Sequence, residues 1–197
     1  MPHRPVATRL ALIALLALLC LATTAATPAM AAVRPLASNV VSFALSRSDA
    51  RVVYLAKETP TGATELFSVP VAGGAPLKLN APLAAGTDVA AFKVSPAAAG
   101  GLVVYIARHA ADSAPRLYSV STSGGTPVAL ADAQSLGAEF DPFTLTFAPD
   151  GSQLLFRIQR NQLGPQPLYR VAPTGGAPVL IANNVARFWA APDSTRV

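Results

Sequence analysis

One twelve-residue phrase occurs three times: LFSVPVAGGAPL at residues 66–77, LYSVSTSGGTPV at 117–128 and LYRVAPTGGAPV at 168–179. Each copy begins 51 residues after the previous one, and no gap interrupts the phrase. A fixed period of this size is the sequence signature of a repeat architecture. The three units are therefore interpreted together, position by position.

The phrase has the pattern of a β-hairpin. Its first six residues alternate between two faces, which predicts a strand. A Gly-Gly pair follows, as at Gly73-Gly74, and predicts a tight turn because glycine adopts a positive φ without steric cost. A second apolar run then begins with a proline, which suits an edge strand because its missing N–H breaks no ladder bond. The last strand of each hairpin is therefore predicted to lie outermost.

A looser segment precedes each phrase, starting at Phe43, Phe92 and Leu145. It contains a short apolar strand, a turn and then a strand of almost continuous hydrophobicity, at 52–55, 102–106 and 154–156. Such continuous runs indicate strands that are buried on both faces. Four short strands per unit, separated by turn signals, predict one blade of a β-propeller.

The pairing of an APDG/SPDG-like turn with a later L-Y-x-V…GG phrase resembles the TolB-type (WD40-like) β-propeller repeat. That repeat occurs in the TolB periplasmic protein, in tricorn-type proteases and in the propellers of prolyl-oligopeptidase and dipeptidyl-peptidase enzymes. The resemblance covers nearly all of residues 33–197 and is best over Leu145–Gly151 and the three GG phrases. It implies an all-β propeller of four-stranded antiparallel blades. The first two units depart from the turn motif, and an acidic residue that the family often has before GG is absent from all three.

The predicted domain, 32–197, contains three complete blades, at about 40–82, 90–133 and 143–182, and an incomplete one at 187–197. Residues 36–43 (LASNVVSF) align with 181–188 (IANNVARF), so an N-terminal strand at 34–39 is expected to serve as the outer strand of a closing blade. The expectation is an open ring, either truncated, part of a longer parent, or completed by a second chain. An open blade edge carries unpaired backbone groups and is a template for self-association.

Residues 1–31 have the order of a secretory signal peptide. Arg4 and Arg9 precede an uncharged apolar run at 10–22, and a small-residue stretch ends in an A-x-A-like cleavage site at 29–31. The apolar run is shorter than the roughly 20 residues of a membrane-spanning helix. A periplasmic or extracellular location is therefore expected, with no membrane attachment after cleavage.

Cysteine and charge exclude several classes of function. The single cysteine, Cys20, lies in the apolar run, where Leu18 and Leu19 precede it instead of the small residue of a lipoprotein signal. The mature chain is thus expected to have no disulfide, thiolate nucleophile or cysteine-ligated metal. Basic residues are scattered singly despite the formal net charge of +5, so nucleic-acid binding has no support.

The remaining polar candidates favour structural roles. His109 is the one histidine of the predicted domain, no G-x-S-x-G motif occurs, and the residue is interpreted as a solvated loop side chain. Asp141, Asp150 and Asp193 adjoin prolines and are interpreted as turn formers rather than as an acid pair or calcium ligands. Trp189 is either a binding anchor or, as favoured here, a residue packed in the core or channel. No catalytic, metal or cofactor-binding residue is assigned, and no cofactor is expected.

Three functions remain open at this point. The favoured one is a non-catalytic scaffold that binds an unidentified protein or small ligand through loops at the end of the ring. The alternative is the N-terminal propeller portion of a larger secreted enzyme, such as a serine peptidase whose catalytic domain lies elsewhere. A gene fragment without activity is the third, because fold alone does not determine function.

Overall fold

A computed structural model describes residues 38–96, 100–159 and 166–193. The predicted signal peptide lies outside these residues. The described part contains thirteen β-strands and no helix, and thus no helix that could cross a membrane. The strands form three antiparallel sheets. The first sheet has the order β1 (Val40–Ser46), β2 (Arg51–Lys57), β3 (Thr64–Pro70) and β4 (Leu77–Lys78).

The second and third sheets repeat this order. The second contains β5 (Ala91–Val94), β6 (Leu102–Ala107), β7 (Arg116–Ser121) and β8 (Val128–Asp132). In the third, a short strand β9 (Glu139–Phe140) pairs with the far end of β11, and the main order is β10 (Thr146–Phe147), β11 (Leu154–Gln159), β12 (Gln166–Val171) and β13 (Val179–Val185). The all-β prediction of four-stranded antiparallel blades in an unclosed ring is confirmed.

The Gly-Gly pairs form the predicted turns. Gly73 and Gly74 have φ angles of 93° and 137°, in the region that favours glycine, and the other two pairs also have positive φ. The N–H of Gly73 donates to the Pro70 carbonyl over 2.9 Å, which closes the turn after β3. Each following strand, β4, β8 or β13, lies at the outer edge of its sheet, as predicted.

Apolar side chains of the middle strands form the core between neighbouring sheets. β2, β6 and β11 are buried on both faces, as their continuous hydrophobicity predicts. One cluster joins the first sheet to the second, through residues that include Val53, Leu66, Tyr105 and Tyr118. Another cluster joins the second sheet to the third, through Val104, Ile106, Phe156, Tyr169 and their neighbours. The second sheet therefore packs on both of its faces.

The segments of the predicted incomplete blade are only partly described. Ser38 and Asn39 form a bend, residues 186–193 contain no strand, and 34–37 and 194–197 lie outside the described residues. Asn39 and its aligned counterpart Asn184 share the left-handed conformation, with φ angles of 54° and 57°. Trp189 is 74% exposed, so the expectation that it packs in the core or channel is wrong. Its segment forms no strand that would hold the indole against a sheet.

Candidate functional site

Two loops meet at one edge of the first sheet. The pair Lys57–Thr64 ends the ladder between β2 and β3, so the connecting loop, 58–63, lies at this edge. The chain returns to the same edge after β4, where the Leu66 N–H donates to the Asn80 side-chain oxygen over 2.8 Å. Farther along, the Val89 N–H donates to the Thr64 carbonyl over 2.9 Å. Loop 58–63 therefore lies beside the segment that joins β4 to β5.

A polar cleft of about 630 Å³ lies between these loops, and we call it the loop-side cleft. It is lined by Lys57, Thr61, Glu65, Lys78 and the segment 82–88, together with neighbouring small residues. The Asp88 carboxylate at its border accepts the Thr64 N–H over 2.5 Å. The cleft therefore presents both signs of charge, hydroxyl groups and accessible loop backbone.

Ion pairs hold one wall of the cleft. Lys78 Nζ lies 2.5 Å from a Glu65 carboxylate oxygen and 3.3 Å from one of Glu58. Burial disfavours the charge on Lys78, but the hydrogen bonds and charges of these glutamates outweigh it and raise the lysine pKa above its ordinary value. Lys78 therefore stays charged and is directed toward the glutamates.

The other wall, segment 82–88, is anchored to the second sheet. Leu83 forms an antiparallel bridge with His109. The Ala84 N–H donates to the Arg108 carbonyl over 2.9 Å, and the Ala110 N–H donates to the Pro82 carbonyl over 2.8 Å. Backbone bonds on both sides of the bridge thus fix the position of this wall.

His109 is a buried packing residue, only 8% exposed, so its interpretation as a solvated loop side chain is wrong. Its ring stacks on Tyr118 with the centroids 3.9 Å apart, and Nε2 lies 3.1 Å from the Tyr105 hydroxyl. Burial, with a smaller contribution from the nearby Arg116 charge, lowers the pKa of His109 although Asp112 opposes this. The imidazole is therefore neutral at physiological pH.

Asp112 connects this aromatic cluster to its charged surroundings. Its carboxylate accepts hydrogen bonds from the Tyr118 hydroxyl and from the backbone N–H of His109, the latter over 2.8 Å. It also lies 3.5 Å from Arg116 Nε. Burial opposes ionisation of Asp112, but these hydrogen bonds and the Arg116 charge outweigh it and hold its pKa below the ordinary value. Burial raises the pKa of both Tyr105 and Tyr118. The network is a structural clamp under the cleft wall.

The aspartates that the sequence singled out lie in turns. Asp141 accepts the Phe143 N–H over 3.1 Å, and Asp150 accepts the Ser152 N–H over 3.0 Å, which confirms the interpretation of both as turn formers. Asp193 also lies in a turn. No three His, Cys, Asp or Glu side chains come together as a metal site in the parts of the chain described. Cys20 lies outside those parts.

Sequence reasoning missed the cleft residues and the clamp. Lys57, Glu65 and Lys78 lie apart in the sequence and meet through strand pairing, and Asp88 joins them through its hydrogen bond from the Thr64 N–H. A signal for the clamp does exist in the sequence: the β6–β7 loop contains His109 and Asp112, and aromatic residues of the repeat flank it at positions 105 and 118. Comparing loop composition between the units could have found it.

Comparison with known proteins supports the fold and goes no further. No protein-family model and no curated protein matches the sequence. Among solved structures, a protein assigned as TolB from Agrobacterium tumefaciens matches 72% of this chain at 18% identity with a TM-score of 0.53. A prolyl endopeptidase matches 74% at 13% identity and 0.52, and the tricorn protease matches 74% at 12% identity and 0.51.

The chain spans less than half the length of each of these structures: 46% of the TolB protein, 22% of the prolyl endopeptidase and 13% of the tricorn protease. Identities this low show a common fold alone. The fold is that of a partial β-propeller.

Proposed function

We propose that this partial β-propeller is a secreted, non-catalytic scaffold that binds a protein or small-molecule partner in its loop-side cleft. The observation that carries the proposal is the cleft itself, an open concavity of about 630 Å³ between two loops on a packed sheet. Binding residues in proteins concentrate on loops that a rigid scaffold positions. The size falls within the range of ligand pockets.

The composition of the cleft favours a polar partner. Lys57 and Asp88 offer opposite charges at the border, and Thr61 offers a hydroxyl group, whereas the Thr87 hydroxyl donates to the Ala84 carbonyl over 2.7 Å. A peptide segment or a zwitterionic small molecule would match this mixture of donors and acceptors. The clamp around His109 supports binding because it holds the 82–88 wall in place before a partner arrives, which reduces the ordering cost on association.

Binding is tested with a matched pair of variants. Thr61→Trp places a bulky ring in the cleft, and Ser123→Trp places the same ring on the exposed turn between β7 and β8. The tagged full chain is crosslinked in its own cells, purified and analysed by mass spectrometry. A partner retained by the wild type and by Ser123→Trp but lost by Thr61→Trp supports the proposal. A partner that all three proteins retain equally contradicts it.

Secretion is inferred from the leader at residues 1–31 and is tested separately. N-terminal sequencing of protein from the periplasm and the medium should find a start at Ala32. Protein that stays in the cytosol with its first residues intact would rule out this part of the proposal.

The second candidate, a propeller portion of a larger secreted peptidase, is favoured by two of the similar structures, which are peptidases by name. Reading the coding sequence beyond Val197 distinguishes the candidates. Further propeller repeats would favour the scaffold. A downstream G-x-S-x-G motif would favour the peptidase.

A further inference from the structure

The inner strands of the sheets line a groove that shares no residue with the loop-side cleft. Its first part, about 570 Å³, lies between β1 and β5 and is bordered by Phe43, Phe92 and Phe143. The second part, about 490 Å³, adjoins Arg47 and Lys93 and reaches β10 at Thr146 and Phe147. Both parts share Leu45, Lys93 and Val94, so they form one groove, which we call the inner groove.

Equivalent positions of the three sheets converge in this groove. Leu45, Val94 and Phe147 each pair with the first or second residue of the long neighbouring strand: Val52, Val103 and Leu154. They are thus the same repeat position, and all three line the second part of the groove. The groove is therefore a product of the repeat geometry rather than of one irregular loop.

One end of the inner groove is an exposed apolar surface. Phe43 is 70% exposed, Phe143 is 95% exposed, and Val41 and Leu45 are also exposed. Large apolar side chains that lie together at a surface mark sites where an apolar partner binds. Because Phe43 and Leu45 belong to a paired strand, their backbone is held while their side chains remain accessible.

The other end of the groove is cationic. Arg47 lines the second part alone, Lys93 lines both parts, and no acidic residue among those the structure describes lines either. Neither cation forms an ion pair with any residue that the structure describes. Thr146 also lines this part, as does Ser95, whose hydroxyl oxygen accepts the Leu102 N–H over 3.0 Å. This end is therefore suited to an anionic head group that accepts charge-assisted hydrogen bonds.

We propose that the inner groove binds a small amphipathic carboxylate, an aliphatic or aryl-alkyl acid, with its apolar part against Phe43 and Phe143 and its carboxylate between Arg47 and Lys93. The exposed phenylalanines of the first part and the cations of the second match the two halves of such a molecule in polarity. A neutral apolar ligand would leave the cations unused. A hydrophilic anion would leave the phenylalanines exposed.

The test is calorimetric titration of the full chain with decanoate, using decanol and decylammonium as probes of the same apolar length. Decanoate should bind at least tenfold more tightly than decanol and more tightly still than decylammonium, because its carboxylate accepts charge-assisted hydrogen bonds from the two cations, which repel an ammonium group. Raising the salt concentration should weaken decanoate binding, since exposed charges are screened. Equal binding of the three probes, or no decanoate binding, would overturn the proposal.

Two variants localise the effect. Arg47→Glu combined with Lys93→Glu should weaken decanoate binding at least tenfold, and Phe43→Ala should weaken it severalfold for decanoate and decanol alike. Arg170→Glu, an exposed charge reversal on β12 outside the groove, is the control for a single reversal and should bind as the wild type does. Decanoate binding that survives the double reversal would refute the assignment. The salt dependence of decanoate binding by the wild type tests the role of the two cations without any variant.

Discussion

A methyl group on Gly124 would lie 2.8 Å from the Cδ2 atom of Leu77, in the outermost strand of the preceding sheet. At the equivalent Gly175, a methyl group would lie 3.6 Å from Val128 Cγ1, which is an ordinary van der Waals distance. At Gly73, a methyl group would have no described atom within 4 Å. Glycine in the repeated phrase therefore has two roles. It permits the positive φ of the turn, and at Gly124 it also lets the neighbouring sheet approach.

Gly124→Ala should destabilise the protein more than Gly73→Ala. Their φ angles are 96° and 93°, so both substitutions carry similar backbone strain, about 1 to 2 kcal/mol. Only the first also displaces Leu77, which should add up to about 1 kcal/mol because that side chain can partly move. Urea unfolding of the two variants measures the difference. Equal losses of unfolding free energy would mean that the contact between the sheets does not contribute to stability.

Arg157 and Asp141 should be coupled energetically. Arg157 Nη2 lies 2.8 Å from the Asp141 carboxylate, and its Nη1 donates to the carbonyls of Val185 and Ala186. Both side chains are largely buried, so Arg157→Met should cost about 2 to 4 kcal/mol because it leaves a buried carboxylate without its cation. In the background of Asp141→Asn, which keeps the turn acceptor, the same substitution should cost less. A double-mutant cycle in urea measures the coupling, and additive losses would disprove it.

Acidification should destabilise the protein through His109. Its pKa is lowered in the folded state, so below about pH 6.5 the unfolded chain takes up a proton before the folded one does. The free energy of unfolding should therefore fall between pH 7 and pH 5. His109→Gln should remove this dependence, because the other histidine, His3, lies in the predicted leader. A variant whose pH profile matches the wild type would contradict the assignment.

Asp112→Asn should loosen the wall of the loop-side cleft. The substitution removes the charge that accepts the Tyr118 hydroxyl and faces Arg116, at a cost of about 2 kcal/mol. Hydrogen exchange at the Ala84 and Ala110 amides should accelerate, since both bonds join the wall to the clamp. Asp132→Asn is the control: this carboxylate also meets Arg116, at 3.3 Å, but is more exposed, and its loss should cost less than about 1 kcal/mol. Unchanged exchange in Asp112→Asn would disprove the clamp.

The architecture was predictable because the repeated phrase encodes it locally. Each hairpin is specified locally by alternating residues, a Gly-Gly pair and a following proline. The 51-residue period shows that the same hairpin occurs in all three units. The burial of His109 was not predictable in this way. It depends on how the β6–β7 loop folds back over Tyr118, which is a tertiary packing event.

The candidate sites were even harder to predict from the sequence. The loop-side cleft joins charges from three strands and one loop segment, and the inner groove joins one position from each of three sheets. The cleft has no spacing signature, because strand pairing and loop contacts bring its residues together. The groove positions recur with the repeat, but only the packing of the sheets brings them to one place. The prediction for Trp189 was wrong because alignment to the repeat placed it on a strand that the described residues do not form there.

The second sheet contributes to both of the apolar clusters that lie between sheets, while each of its neighbours contributes to one of these two. In thermodynamic terms the described part of the chain is a short linear array of three sheets, whose stability is the sum of intrinsic terms for each sheet and one coupling term for each interface. Loss of an outer sheet removes one coupling term, whereas loss of the middle sheet removes two. Partial unfolding should therefore begin at the outer units, and the amides of β6 and β7 should report the free energy of global unfolding.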